Sequence, residues 1–247
     1  MQSGKTAALS KLIKESDNIV FFGGAGVSTE SGVKDYRSED GLYNTVKQYK
    51  VSPERILSHS FFKAHPDIFY DFYYNYFLKT SAEPNRAHFA LAELEKEGRL
   101  KAVITQNIDG LHQRAGSKNV IELHGTTKKH FCPECNTLMP NERITELKGK
   151  VPYCDKCKSV IKPAVVLYEE QLNESVIEAA VNAISSADLL IIGGTSLAVY
   201  PAAGFVRYFK GGNIVLINRD QTQYDTAATL VFRESIGEVL SEAIKNI

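Results

Sequence analysis

The sequence has no excess of charge of either sign, with 29 Lys and Arg against 29 Asp and Glu in 247 residues. That balance excludes a protein whose main task is holding phosphate backbones, because such affinity comes from neutralisation by Lys and Arg. It leaves room for a local basic cleft. Four cysteines are too few for a disulfide-rich miniature, and 17 Gly with 8 Pro too few for a collagen or a disordered tail. Internal repeats and low-complexity tracts are lacking. No export signal is expected, because Lys5, Lys11, Lys14 and Glu15 interrupt any apolar run near the N-terminus. A stretch of 18 uncharged residues lies between Asp188 and Arg207. Its Gly193-Gly194-Thr195-Ser196 break and Pro201 suit a buried strand entering a glycine turn better than a membrane span. A cytoplasmic monomer is expected, with no membrane and no direct nucleic-acid partner.

What the chain does have is one alternation repeated along its length. Thr6–Glu15 has the apolar spacing of a helical face, at Ala8, Leu9, Leu12 and Ile13. Asn18 to Phe22 is an apolar run that enters Gly23-Gly24-Ala25-Gly26. Lys101 to Thr105 runs into Gln106-Asn107-Ile108-Asp109-Gly110, Asp188 to Ile192 into the second glycine turn, and Asn213 to Ile217 into Asn218-Arg219-Asp220. Helical patterns separate these runs at Pro84–Gly98, Asn173–Ser186 and Ser235–Ile244, the first containing Phe89, Leu91 and Leu94. Strands alternating with helices predict an α/β fold, a doubly wound parallel sheet of Rossmann-like type. Ligands of such folds bind beyond the carboxyl ends of the strands, where the Gly, Asn, Asp, Thr and Ser clusters fall. Two regions depart from the pattern. His59–Phe77 is crowded with aromatics, and His130–Lys162 holds all four cysteines; both read as inserts forming a smaller lobe.

Cys132-x-x-Cys135 and Cys154-x-x-Cys157 are the strongest local signal. Each knuckle sets two thiolates on one side of a turn, and two knuckles complete a closed tetrahedral site. Such a metal would be structural, zinc being favoured and iron not excluded by ligand softness. Disulfides fit a cytoplasmic chain poorly, whereas a nucleic-acid-binding ribbon has the same cysteine pattern. The first glycine loop has Thr29 where a third glycine would complete the dinucleotide fingerprint. On its own it reads equally as a phosphate cradle at a helix start or as a tight turn. Gly4-Lys5-Thr6 imitates the end of a P-loop without the strand that should precede it.

Longer segments narrow the choice. Gly24 to Arg37 (GAGVSTESGVKDYR) resembles the first signature of the sirtuins, NAD-dependent protein deacylases, here of bacterial type. TQNIDGLH at 105–112, ELHGT at 122–126, the paired knuckles, KPAVV at 162–166 and GTSLAVYP at 194–201 are similar to that family's later motifs and follow in its order. The resemblance implies one catalytic domain over 1–247. Its large Rossmann-like lobe would comprise about 1–38, 84–127 and 163–247, and its small lobe a helical insert at about 39–83 and a zinc insert at about 128–162. NAD and an acyl-lysine protein or peptide would meet between the lobes, with one structural zinc on Cys132, Cys135, Cys154 and Cys157. By the same resemblance Ala25, Thr29 and Arg37 would line the dinucleotide, and Asp35, Tyr36 and Ile108 the nicotinamide pocket. Gln106, Asn107 and Asp109 would surround the nicotinamide ribose, and Thr195, Ser196, Asn218 and Ile236 the adenosine half. Val166, Tyr168 and Val199 would bind substrate. The acyl oxygen would attack C1′ of the ribose as nicotinamide leaves, giving an alkylamidate. His124, assisted by Asn107 in the catalytic pair, would then act as base so that the 2′-OH attacks, releasing free lysine and 2′-O-acyl-ADP-ribose. An imidazole suits that role, with an unperturbed pKa of roughly 6.5.

The chain departs from the family pattern at Lys34, Tyr36 and Ser38, which stand for Pro, Phe and Gly. Leu167-Tyr168-Glu169-Glu170 replaces an aromatic-Phe-Gly-Glu run, so Glu169 should stiffen the peptide-pairing segment and favour basic flanking residues. Tyr43-Asn44-Thr45-Val46 lacks the Arg that desuccinylating members use, so neutral acyl chains are expected. The alternative reading is a mono-ADP-ribosyltransferase, against which His124 counts, because direct transfer needs no base. A non-enzymatic NAD-sensing or zinc-ribbon module is the third.

Overall fold

In the computed structural model, which describes residues 2–34, 49–79 and 81–245, the predicted alternation becomes one six-stranded parallel sheet. Its strands are β1 (Ile19–Gly23), β2 (Leu100–Thr105), β3 (Val120–Glu122), β7 (Leu189–Gly193), β8 (Asn213–Ile217) and β9 (Leu230–Phe232), in the order β3-β2-β1-β7-β8-β9. The chain winds outward from β1 to β3, then returns to the other side of β1 and winds outward again. This reversal opens a crevice beyond the ends of β1 and β7. Register makes those ends level: Gly23 pairs with both Thr105 and Gly193, and Gly193 with Ile217.

Side-chain alternation builds two cores, one on each face. Ile19 and Phe21 of β1, with Leu189 and Ile191 of β7, pack on Leu9, Ile13, Leu91, Leu94, Val239 and Leu240 from helices Gln2–Glu15, Arg86–Lys96 and Ile236–Ile244. Val20 and Phe22, with Leu190 and Ile192, face Ala180 and Ile184 of helix Glu174–Ser186 and Ala202 to Val206 of a 3₁₀ segment. Burial on both faces is why Leu189 to Ile192 has no polar alternation, and no described helix is long and apolar enough to cross a membrane.

Helix starts follow side-chain chemistry. Asn173 accepts hydrogen bonds from the amides of Ser175 and Val176, and Asn85 accepts from the Ala87 amide while His88 Nδ1 accepts from the Asn85 amide. The helix therefore begins after Asn85 rather than at Pro84. Its buried face is Ala87, His88, Ala90, Leu91 and Leu94, whereas Phe89 is exposed. Gly4, Lys5 and Thr6 lie within the first helix.

A second, antiparallel sheet consists of β4 (Gly125–Phe131), β5 (Leu138–Met139) and β6 (Lys162–Val165), ordered β5-β4-β6. It starts at Gly125 and ends at Val165, so β4 and β6 run across the lobe limits expected from sequence. Its small core holds Cys132, Met139, Ile144, Cys154 and Ile161. The aromatic insert forms helices His59–Ala64 and Pro66–Tyr73, the latter passing into a π-helical turn at Tyr74–Leu78. Phe61, Phe62, Phe69, Tyr70, Phe72 and Tyr73 bury against Val165 and Leu167. Two phenols fasten the inserts together. Tyr70 Oη donates to the Ile161 carbonyl at 2.5 Å, and Tyr73 Oη lies 3.1 Å from His130 Nε2. His130 Nδ1 in turn meets the Asn141 side-chain oxygen at 2.7 Å, so Nδ1 donates and Nε2 accepts.

Candidate functional site

Two glycine loops meet where β1 and β7 end. The Gly24 amide donates to the Gly193 carbonyl (3.2 Å) and the Gly26 amide to that of Gly194 (2.8 Å). A Cβ on Gly26 would lie 2.8 Å from Gly194 Cα, and one on Gly194, at φ +58°, 2.4 Å from the Val27 nitrogen. The glycines are thus required by backbone lying on backbone. The segment after β1 forms two 3₁₀ turns, Ala25–Val27 and Thr29–Ser31, instead of the helix start expected from sequence. The two loops lock before a full turn of α-helix can form. Thr29 Oγ1 donates to the Gly26 carbonyl (3.0 Å), Ala25 and Thr29 are partly exposed, and the Asn85 side chain holds the loop through Val27 O and Ser31 Oγ.

Beside this corner the residues after β2 form a polar cluster. Gln106 Nε2 donates to Thr195 Oγ1 (3.1 Å), which crosses from the β2 loop to the β7 loop. Asn107 Nδ2 donates to Gly24 O (3.1 Å) and Ser28 Oγ (3.0 Å), and Ser28 Oγ donates to Asp109 Oδ2 (2.7 Å). Ser28 is buried at the centre of this chain, yet no property of a lone serine in the sequence singled it out. Its position inside the glycine segment was the available signal. The Ile108 carbonyl accepts from both the amide (3.0 Å) and hydroxyl (2.9 Å) of Thr127, fixing this loop to β4.

His124 follows β3, half-buried. Its Nδ1 lies 2.9 Å from the Gln106 carbonyl. A carbonyl only accepts, so Nδ1 carries the proton and Nε2 keeps a lone pair. Burial lowers the His124 pKa below the usual imidazole value, opposed by that backbone bond. The ring is therefore neutral at pH 7 with its basic nitrogen held in one orientation. The His124 carbonyl accepts from the Val166 amide (2.9 Å), which joins the base to the segment after β6.

That segment turns tightly. Tyr168 is exposed, its amide donates to Leu57 O (3.0 Å) and its carbonyl accepts from the His59 amide (3.0 Å). Glu169, expected to stand beside a peptide path, has both carboxylate oxygens on Ser60. Ser196 and Val199 are exposed on the β7 loop. Asn218 follows β8, its side chain donating to Asp220 O (2.9 Å). The Ile236 side chain is buried in the core against Gly193. Asp35, Tyr36 and Arg37, together with Ser38 and Tyr43 to Val46, lie outside the described residues.

The four cysteine sulfurs converge within 4.8 Å of one another, with Cys132–Cys157 at 3.3 Å and Cys135–Cys154 at 3.5 Å. Zn–S bonds of about 2.3 Å in a tetrahedron set sulfurs about 3.8 Å apart, so the donor set fits one zinc ion with no ligand position left for water. The Leu138 and Tyr153 side chains are exposed on the outside of this ribbon.

The model of the Sir2 family matches residues 24–201. Two relatives named NAD-dependent protein deacetylase come from Clostridium perfringens and Clostridium acetobutylicum. They are 55% and 53% identical to this chain, each match covering 97% of it and 98% of the relative. A solved Sir2 structure with deacetylated p53 peptide and 3′-O-acetyl ADP ribose superposes with a TM-score of 0.88 at 39% identity, covering 98% of each chain. A Sir2 structure with p53 peptide and NAD+ gives 0.86 at 39% identity and the same coverage.

Proposed function

The chain belongs to the Sir2 family, and on that premise we propose that it is an NAD-dependent protein-lysine deacetylase passing the acyl group to ADP-ribose. The observation that carries the reading is the single-tautomer base: His124 donates from Nδ1 to Gln106 O and keeps the lone pair of Nε2, and the next residue after Gln106, Asn107, is bonded to Ser28 and through it to Asp109. NAD, when bound, supplies an electrophilic ribose carbon from which nicotinamide departs. The chain's own residues do the rest. His124 Nε2 takes a proton from a ribose hydroxyl, and Asn107 and Asp109 orient that ribose. Gln106 and Thr195 keep the β2 and β7 loops in register around it. Ala25 and Thr29, with Arg37, attend the pyrophosphate, and Asp35, Tyr36 and Ile108 the carboxamide. Ser196 and Asn218 hold the adenosine half, helped by the Ile236 backbone. Val166, Tyr168 and Val199 form the edge for an acyl-lysine peptide.

The division into a large lobe (about 1–38, 84–127 and 163–247) and a small one (about 39–83 and 128–162) belongs to the same proposal. It is supported by the separate core clusters of the two sheets. A reducing compartment such as the cytoplasm is consistent with four thiols converging on one metal site. Incubation with NAD and an acetyl-lysine peptide, read by mass spectrometry, should give deacetylated peptide, nicotinamide and acyl-ADP-ribose. Labelled ADP-ribose on protein without deacetylation would replace this reading with mono-ADP-ribosylation. Binding of NAD without turnover would replace it with a sensor.

A further inference from the structure

The turn at 167–170 is held by an unusual amount of side-chain chemistry. The Leu167 amide donates to Glu170 Oε2 (2.9 Å) and the Glu170 amide to Leu167 O (3.0 Å), which closes it. Glu169 at its apex has φ +75°, a left-handed conformation unfavourable for a non-glycine residue. The carboxylate is used in return. Its Oε2 accepts from the Ser60 amide (2.8 Å) and its Oε1 from the Ser60 hydroxyl (2.9 Å), across 109 residues of chain. Those bonds hold the Glu169 carboxyl below the usual carboxylate range.

Glu170 does the same next door. Its Oε1 lies 2.8 Å from His59 Nδ1 and its Oε2 2.9 Å from Nζ of the buried Lys162, which also donates to Val165 O (2.7 Å). With the two backbone bonds of Tyr168, three consecutive residues of the turn are each bonded to the segment 57–60.

We propose that Glu169 is a positioning residue for the acyl-lysine peptide: the Glu169–Ser60 clamp fixes the Val166–Tyr168 edge on the helical insert before substrate arrives. The inference rests on the deacetylase reading, which makes Val166 to Tyr168 the substrate edge. A pre-ordered edge lowers the conformational cost of receiving a peptide beside it. Both carboxylate oxygens accept from Ser60, so the position of Glu169 is tied to the helical insert while its negative charge is kept.

Two variants separate the possibilities. Glu169→Gly relieves the backbone conformation while removing the clamp, so the fold is kept. Glu169→Gln removes the charge but retains an acceptor of the same reach. With acetyl-lysine peptides carrying basic, neutral or acidic flanks, Glu169→Gly should raise the peptide KM about tenfold for all three, the scale of lost charge-assisted bonds. Its kcat should stay within about twofold of the original. Glu169→Gln should lie between, and Ser60→Ala should add nothing to Glu169→Gly in the double variant. An unchanged KM in Glu169→Gly, or a loss confined to basic peptides, would overturn the clamp. Hydrogen exchange reads it without turnover: the Ser60 and Tyr168 amides should exchange faster in Glu169→Gly. Unchanged protection there rejects the clamp, whereas absent turnover in the unmodified chain rejects the deacetylase reading instead.

Discussion

Two histidines show how burial assigns different work to the same side chain. His124 is half-buried and keeps one carbonyl partner, so its pKa is lowered while Nε2 stays available. As the proposed base, His124 works only when deprotonated, so activity should fall as pH drops through that lowered pKa. The acid limb of kcat/KM is expected at a midpoint below about 6.5. His124→Asn should cut kcat about 100-fold or more while NAD affinity, followed by calorimetry, changes little. His112 is 1% exposed, its ring against His88 at 4.7 Å, and among the described residues neither of its nitrogens has a hydrogen-bond partner. Burial, with the neighbouring His88 adding to it, lowers its pKa to about 3. Below about 6.5 the unfolded chain takes up a proton that the folded chain refuses, so this stability is complete above that pH and is lost as pH falls toward 3. The stability gap between His112→Leu and the unmodified chain should therefore shift in favour of the variant by up to about 1.4 kcal/mol per pH unit. Urea unfolding at pH 7.5, 6 and 5 measures it.

At the scale of elements, the site is built by strand ends rather than by any one motif. Level register at Gly23, Thr105 and Gly193 brings three loops together, and the glycines let two of them touch. Gly194 and Gly32 make a controlled comparison, since both have positive φ. A Cβ on Gly194 meets backbone at 2.4 Å, whereas one on Gly32 meets nothing within 4 Å. Gly32→Ala should cost only the conformational penalty of roughly 1–2 kcal/mol. Gly194→Ala should cost more than that and also weaken NAD binding, because the Gly26 and Thr195 loops must part. Thermal unfolding and NAD titration of the two variants decide it; equal effects would mean that the close approach is unimportant.

Across the whole molecule, the metal ribbon reaches the His124–Gln106 cluster through ordinary packing. β4 leaves His124, carries Thr127 to the Ile108 carbonyl, and ends at Phe131, immediately before Cys132. β6 returns from the second knuckle and delivers Val166 to the His124 carbonyl. Metal loss is thus expected to act on both stability and turnover. Thiol modification should release one zinc per chain, measured by a chromogenic chelator. Cys154→Ser should lower Tm by about 5 °C or more and reduce kcat, although no zinc ligand touches the reacting groups. Full activity in metal-free protein would separate ribbon from site.

Much of this was legible in the residues themselves. Apolar runs ending in glycine or in Asn and Asp marked β1, β2, β7 and β8, because a strand buried on both faces tolerates no polar alternation. The cysteine spacing predicted a four-sulfur site, because two knuckles need only local geometry. His124, Asn107 and Asp109 were singled out because their motifs are contiguous. Other roles depended on distant partners. Ser28 became central only when the β2 loop arrived, and Ile236 turned into the core because helix Ile236–Ile244 packs on Gly193. Glu169 read as stiffening its segment and favouring basic neighbours, but its partner Ser60, over a hundred residues earlier in the chain, was not visible in the sequence. Sequence by itself determined four strands of the large sheet, the polar or glycine ends that follow them and the chemistry on offer, since these follow from neighbours in the chain. Only the tertiary structure decided which polar atoms are engaged and which stay available, because that depends on what distant segments bring to each side chain.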